Sequence, residues 1–221
     1  MFKRINIICG HYGSGKTNLA LNLALGMQSK GERVSLVDLD IVNPYFRSAD
    51  YTRLMESHGI KVISPSTAGT TIDAPGLTAS IQSVFDSDDS RVLIDVGGDD
   101  AGAFALGRFS QQIVKSGDYQ MLYVVNKFRK LTSTPQEAVD LLREIESAAG
   151  LRATGIVNNS HLAHLTTAKD IIESQPYAEK ISQLTALPLL MTTAPQSLAD
   201  ELTGRVENLY PVKIIVKLPW N

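Results

Sequence analysis

The feature that most constrains this chain is the pattern G-x-x-x-x-G-K-T, which occupies residues 10–17 without a mismatch. An apolar run at residues 5–9 precedes it, and a segment rich in leucine and alanine at 19–25 follows it, so the pattern predicts a strand, a glycine loop and a helix. Glycines let successive backbone N–H groups turn toward phosphate oxygens, and the helix adds the positive end of its dipole. Lys16 would reach the β- and γ-phosphates, and the Thr17 hydroxyl would take one position around Mg²⁺. A chance glycine-rich turn is the competing interpretation.

This loop defines the first set of predicted nucleotide contacts. The set comprises Gly10, His11, Tyr12, Gly13, Ser14, Gly15, Lys16, Thr17 and the adjoining Asn18. Lys16 is also assigned a catalytic role, because its ammonium group would stabilise phosphate charge during transfer.

Composition narrows the class of protein. The chain has 221 residues, 43% hydrophobic and 20% charged, which predicts a single α/β domain over residues 1–221. The net charge of −2 and a longest basic cluster of only four residues, 127–130, argue against nucleic acid and membranes as partners.

There is no apolar stretch of membrane-spanning length, no signal-peptide pattern and only one cysteine, Cys9, so a cytoplasmic location is expected.

Strand-like apolar runs alternate with helix-like periodic segments along the chain. The predicted strands are 4–9, 33–38, 60–63, 91–96, 120–125, 153–158, 187–191 and 211–218. The predicted helices are 16–29, 46–57, 77–84, 103–115, 135–148, 167–183 and 196–203. This alternation predicts a doubly wound α/β fold with a mostly parallel sheet of seven or eight strands and helices on both faces. The last strand contains Pro211 and two lysines, which favours an edge position.

Two acids follow the second predicted strand, at Asp38 and Asp40. Ligands of open α/β sheets bind beyond the carboxyl ends of the strands, so both acids would lie on the same side as Lys16. Their spacing places them on one face of the strand. Asp38 would hold Mg²⁺ through water, and Asp40 would position an attacking water as the second catalytic residue. A pair of solvent-facing acids is the alternative.

A third acid, Asp95, ends another apolar strand and opens a D-x-x-G pattern that closes at Gly98. Such an acid contributes a further Mg²⁺ contact, and the glycine N–H can sense a γ-phosphate. Loss of that contact on hydrolysis would release the loop. The pattern therefore predicts a protein that changes conformation with its nucleotide.

Base recognition is predicted at two strand ends. Residues 126–129 read N-K-F-R, which begins like the guanine motif N-K-x-D but has Arg129 in place of the acid. Guanine needs a carboxylate to accept from its N1–H and exocyclic amine, so the sequence favours adenine, with Asn126 near the base. Asn158, at a later strand end, would offer its amide to the base edge. A structural turn is the alternative for Asn158, since asparagine tolerates left-handed backbone.

The loop and the two acid-ended strands, in this order and spacing, resemble the MinD/ParA/CobQ/CobB nucleotide-binding superfamily. That superfamily belongs to the larger P-loop class, which includes nitrogenase iron protein and the signal-recognition GTPases. The resemblance implies ATP and Mg²⁺ as cofactors and a role for Asp40 in activating water. It also implies that Asn158 contacts adenine and that the segment 192–195, ending at Pro195, lines the base.

One departure from that superfamily concerns assembly. MinD- and ParA-like members carry a lysine early in the loop, in K-G-G-x-G-K-T, which reaches the phosphates of a partner subunit. Here His11 and Tyr12 occupy the first two variable positions. A histidine is shorter than lysine and mostly neutral near pH 7, so this route of activation is not expected. A nucleotide-dependent homodimer stays an open alternative.

The sequence favours a Mg²⁺-dependent ATPase that acts as a nucleotide switch for an unidentified protein partner. Three alternatives stay open. One is a small-molecule ligase or kinase of the CobB or dethiobiotin-synthetase type, with residues 64–76 as a substrate loop. The second is a GTPase that serves enzyme metallation, and the third is a nucleotide-binding module with negligible hydrolysis.

Overall fold

The computed structural model describes residues 2–40, 51–64, 75–86, 90–98 and 100–216. Eight strands are found in these ranges: β1 (Ile5–Cys9), β2 (Val34–Leu39), β3 (Lys61–Ile63), β4 (Arg91–Val96), β5 (Tyr119–Val125), β6 (Gly155–Asn158), β7 (Leu189–Pro195) and β8 (Leu209–Val212). The α-helices in the same ranges are α1 (Lys16–Gln28), α2 (Thr52–Ser57), α3 (Pro75–Asp86), α4 (Asp100–Gly107), α5 (Ser110–Ser116), α6 (Pro135–Ala149), α7 (Ala168–Thr185) and α8 (Ala199–Leu202).

The eight strands form one sheet in the order β3-β2-β4-β1-β5-β6-β7-β8. Every pair of neighbours is parallel, so the sheet is wholly rather than mostly parallel. The strand that precedes the glycine loop, β1, lies between β4 and β5 near the middle of the sheet. Because all strands run the same way, their carboxyl ends meet at one edge, and the site is built there.

Helices cover both faces of the sheet, as predicted. Successive residues of β1 point to opposite faces: Ile7 packs into a core with Leu106 of α4 and Leu142 of α6. Ile8 packs into a second core with Leu23 of α1. Strands buried on both faces explain the continuous apolar runs in the sequence.

Most helix predictions are confirmed in position, and one local signal is confirmed in detail. Thr134 caps α6 in a reciprocal capping box with Glu137, and Pro135 occupies the first turn. The single helix predicted at 103–115 is wrong, because the chain breaks into α4 and α5 where Phe109 turns into the core with 2% exposure. The predicted helix at 46–57 is described only from α2 onward, and most of the predicted loop at 64–76 lies outside the described residues.

The last predicted strand differs most from the structure. It begins at 209 instead of 211 and ends at 212, residues 213–216 are not part of a strand, and the predicted positions 217–218 lie outside the described residues. It lies at the sheet edge and accommodates Pro211 as expected. Residues 213–216 leave the sheet because asparagines of α1 bind their backbone. No helix within the described ranges is long and apolar enough to cross a membrane.

Candidate functional site

The glycine loop between β1 and α1 has the backbone that its sequence requires. Gly10, Gly13 and Gly15 have φ angles of 146°, 72° and 90°, which L-residues rarely adopt. A Cβ at Gly10 would collide with the Val124 carbonyl of β5, and one at Gly15 would collide with the amide of Asn159. Glycine is therefore needed in this loop for two reasons: the turn requires positive φ angles, and the ends of β5 and β6 approach the loop too closely for a Cβ.

The catalytic lysine predicted from the sequence lies inside this loop. Lys16 is buried, and its ammonium group donates a 3.0 Å hydrogen bond to the His11 carbonyl. The segment that follows β4 also contacts the glycine loop. A Cβ on Gly98 would lie 2.6 Å from the Tyr12 backbone nitrogen and 2.8 Å from Lys16 Nζ. The D-x-x-G pattern and the glycine loop are thus in direct contact.

The three predicted acids converge beside the loop. Asp38 of β2 and Asp95 of β4 are register partners, and both are fully buried. The backbone N–H of Asp40 donates to Asp38 Oδ1 at 2.9 Å. Asp40 lines the same cavity as Lys16 and Thr17. The structure therefore brings together all four side chains that the sequence assigned to metal binding and water positioning.

Asp95 is the most perturbed of these acids. Burial raises the pKa of its carboxyl to about 8, and the neighbouring Asp38 adds to the rise, while the nearby Lys16 and Thr17 oppose it. Neither carboxylate oxygen of Asp95 has a hydrogen-bond partner among the described residues. Two orphaned oxygens beside a second carboxylate and a threonine hydroxyl are the hard oxygen donors that Mg²⁺ prefers. The residues present therefore fit this ion.

A cavity of about 370 Å³ extends from the glycine loop along the edge of the sheet. Its lining residues are Tyr12, Gly13, Gly15, Lys16, Thr17, Asn18, Asp40, Asn126, Arg129, Asn159, His161, Leu162, Ala163, Leu165, Ile214 and Val216. The end at Lys16 and Asp40 is charged. The rest of the lining combines side chains that donate hydrogen bonds with aliphatic ones, so the cavity suits a molecule with an anionic part and a flat, partly polar part.

Arg129 stands where a guanine site would place a carboxylate. Its guanidinium packs against the loop, 3.4 Å from the position that a Cβ on Gly13 would take. Its Nε is buried and has no hydrogen-bond partner among the described residues. An orphaned donor aimed at a cavity requires an acceptor from a ligand or from water.

His161 lies next to Arg129 and is held neutral. Burial, followed by the charge of Arg129, lowers the pKa of His161 to about 4. Its Nδ1 accepts from the Ala163 backbone N–H at 3.3 Å, which makes Nε2 the donor to Asn159 Oδ1 at 3.0 Å. Arg129 therefore contributes a positive charge to the cavity wall between the glycine loop and the neutral His161.

The two asparagines after β6 have different surroundings. The Asn158 amide is fully buried, donates to Ser174 Oγ at 2.9 Å and accepts from the Ser160 N–H, and it does not reach the cavity. Asn159 lines the cavity and donates to the Ser14 carbonyl of the glycine loop at 2.6 Å. The geometry thus offers Asn159, not the predicted Asn158, to a ligand.

Other predicted contacts are placed as follows. Asn126 lines the cavity, whereas Pro195 is buried at the end of β7, paired with Val212, and is not among the lining residues.

The remaining predicted contacts lie in the glycine loop. His11 Nδ1 lies 2.7 Å from the Tyr12 carbonyl oxygen, and Tyr12 is 49% exposed at the rim. Ser14 is buried, and its hydroxyl has no hydrogen-bond partner within the described ranges.

Ile214 and Val216 were missed as cavity residues by the sequence analysis. Their alternating pattern and the β-branched residues around Pro211 predict a strand instead. The signal that could have identified them is the pair Asn18 and Asn22 on a helix that is otherwise apolar almost all round, since buried amides need partners from a neighbouring segment.

The comparisons with known proteins identify the fold. The sequence matches no protein-family profile and no curated protein. The chain superimposes on FtsY from Elizabethkingia anophelis in complex with GDP, with a TM-score of 0.58 and 20% identity, covering 86% of this chain and 56% of that one. FtsY from Thermotoga maritima gives 0.58 and 20%, with 86% and 61% covered. The signal recognition particle 54 kDa protein of Aeropyrum pernix K1, in complex with GDP, gives 0.57 and 16%, with 85% and 40% covered.

These matches show that the chain has the α/β fold of P-loop NTPases. It spans about three fifths of the length of the FtsY chains that it matches.

Proposed function

We propose that this protein is a Mg²⁺-dependent ATPase that changes its interaction with a protein partner according to the bound nucleotide. The observation that carries the proposal is that Lys16, Thr17 and Asp40 line one cavity at the carboxyl edge of the sheet, with the buried Asp38–Asp95 pair directly beside them. These are the groups that phosphoryl transfer to water requires: a charge-stabilising cation, metal ligands and a residue that orients water.

The reaction follows from this arrangement. A water oxygen bonds to the γ-phosphorus, the bond from that phosphorus to the β–γ bridging oxygen breaks, and the electron pair leaves with ADP. The water proton passes to phosphate or solvent. The loop N–H groups and Lys16 stabilise the charge that develops on the transferred group. Asp40, at the cavity wall, accepts a hydrogen bond from the attacking water and orients it.

Mg²⁺ would be held by the Thr17 hydroxyl directly and by Asp38 and Asp95 through water, and it would neutralise phosphate charge. No group of three or more His, Cys, Asp or Glu side chains in the described ranges is arranged to hold a metal. The ion would therefore depend on Thr17, water and nucleotide oxygens as well as on the two acids. Its affinity should rise when nucleotide is present.

ATP is preferred to GTP in this proposal because of the cation at the base end. Guanine presents N1–H and amine donors, from which Arg129 cannot accept, although guanine O6 and N7 could accept from Arg129. The preference for adenine therefore rests on the carboxylate that position 129 lacks: adenine has ring nitrogens that accept from Arg129 and no ring N–H that needs an acid. GTP is the second candidate, because two of the structural neighbours are complexes with GDP.

The switch rests on the contact between Gly98 and the glycine loop. A γ-phosphate held by Lys16 would lie beside the Gly98 backbone, and its release would remove that contact. The chain that follows β4 leads into α4, so this helix would move with the nucleotide state. A protein partner that reads this movement, or a second copy of the chain, would receive the signal.

Steady-state phosphate release with ATP and with GTP tests the proposal. ATP turnover should exceed GTP turnover, and Asp40→Asn should lower kcat about 10²-fold or more while nucleotide affinity stays close to that of the wild type. Equal rates for wild type and Asp40→Asn would remove Asp40 from the mechanism. Faster turnover of GTP would favour the second candidate.

A further inference from the structure

The far wall of the cavity is formed by the segment that follows β8. Residues 213–216 leave the edge of the sheet and lie against α1. Ile214 and Val216 of this segment line the cavity together with the loop and the ends of β5 and β6. They supply aliphatic surface to the wall of this cavity.

Two asparagines of α1 fix this segment. Asn18 donates to the Lys213 carbonyl at 3.0 Å and accepts from the backbone N–H groups of Ile215 and Val216 at 2.8 and 3.2 Å. Asn22 donates to the same carbonyl at 2.9 Å and accepts from the Lys213 N–H at 2.8 Å. The amides thus replace the strand partner that this backbone lacks.

The position of Asn18 links the segment to the phosphate end of the cavity. Asn18 follows Thr17 directly on α1, so the helix that carries Lys16 and Thr17 also carries the residue that holds the segment. Asn18 was predicted as a nucleotide contact, but its amide is engaged with the segment. Movement of the first turn of α1 would therefore change the position of Ile214 and Val216.

The chemistry around the segment matches a heteroaromatic ring. Ile214 and Val216 offer aliphatic surface without hydrogen-bonding groups, which suits the face of a ring. Arg129 of the same cavity offers a donor, its buried Nε, and the Asn126 amide, which donates one N–H to the His161 carbonyl at 3.2 Å, keeps a second N–H. Both donors suit acceptors on the ring edge. Aliphatic side chains cannot hydrogen-bond to phosphate oxygens, so Ile214 and Val216 suit the base and not the phosphates.

We propose that residues 213–216 form a strap that binds the purine base through Ile214 and Val216 and is positioned by Asn18 and Asn22. The proposal rests on the proposed nucleotide function and adds the base-binding subsite to it. Asn18 acts as a positioning residue: it sets the strap with respect to the triphosphate site.

The test compares two ligands that differ in the base. Binding of Mg·ATP and of Mg·tripolyphosphate, which has no nucleoside, is measured by calorimetry for wild type, Ile214→Ala/Val216→Ala and Asn18→Ala. Ile214→Ala/Val216→Ala should weaken ATP binding about tenfold, as expected for the loss of several methyl groups that the bound base would cover, and should leave tripolyphosphate binding unchanged. Asn18→Ala, which releases the strap, should change the two affinities in the same directions. Leu184→Ala, which removes a side chain of similar size that is 43% exposed on α7, is the matched control and should change neither ligand.

Three results would separate the possible failures. If ATP affinity is unchanged in the strap variants, or if both ligands weaken equally, the strap does not bind the base. If the wild type binds neither ligand, the proposed nucleotide function fails instead. Thermal unfolding without ligand monitors the fold, and if Asn18→Ala does not fold, Val216→Ala alone gives the same comparison of ligands.

Discussion

At the scale of single residues, Asp95 shows a conflict between the stability of the ligand-free protein and the metal-binding role proposed for this acid. The pKa of its carboxyl is raised from an ordinary value near 3.8 to about 8. Between these two pH values, the folded state therefore keeps a proton that the unfolded state has released. The free energy of unfolding of the ligand-free protein should therefore fall as pH rises from about 4 to 8. When no metal ion is bound, ionising this buried acid therefore destabilises the folded state.

Asp95→Asn should separate the two effects. The amide has the size of the acid but carries no charge, so ligand-free stability above pH 8 should increase by about 1–3 kcal/mol, and the fall of stability with pH should become shallower. Phosphate release should be lost because a metal contact is removed. Urea unfolding at several pH values measures the first effect. A variant that is less stable than wild type at high pH would contradict the assigned cause of the pKa shift.

At the scale of elements, the ends of β1, β6 and β7 are joined by one side chain. The Asn159 amide donates to the Ser14 carbonyl in the glycine loop and accepts from His161, and it also accepts from the Thr193 hydroxyl. The adjacent Asn158 is equally buried but bonds to Ser174 of α7 and to its own turn. The two asparagines therefore form a natural pair of test and control.

Both Asn159→Ala and Asn158→Ala should lower the free energy of unfolding by about 1–3 kcal/mol, because each leaves buried partners unsatisfied. Only Asn159→Ala should also weaken ATP binding, since only Asn159 supports the glycine loop. Thermal unfolding and calorimetry on the two variants make this comparison. Weaker ATP binding in Asn158→Ala alone would restore the assignment made from the sequence.

The sequence was sufficient for elements whose signals are local. The glycine loop, the acid-ended strands and the capping box of α6 each depend on residues close together in the chain, so their positions could be predicted. The break between α4 and α5 could not, because it depends on where the buried Phe109 finds space in the core. The strap could not be predicted either, because its partners, Asn18 and Asn22, lie almost two hundred residues away in the sequence.

At the scale of the whole molecule, parallel topology explains why distant residues share one site. Strand β1 lies in the middle of the sheet, with the acids on β4 and β2 to one side and the base-end residues after β5 and β6 to the other. The loop after β1 therefore lies between the two groups. In the proposed function, this order would separate the phosphate site from the base site, and the proposed strap would close the latter.

The central claim is that the cavity at the glycine loop binds ATP, and calorimetric titration with Mg·ATP tests it most directly. The wild type should bind with one site per chain, and Lys16→Ala should weaken binding about 10- to 100-fold or more, because a buried charged donor to phosphate is lost. Lys169→Ala, which removes a lysine that is 79% exposed on α7, should bind ATP like the wild type. Equal ATP affinity for wild type and Lys16→Ala would contradict the account.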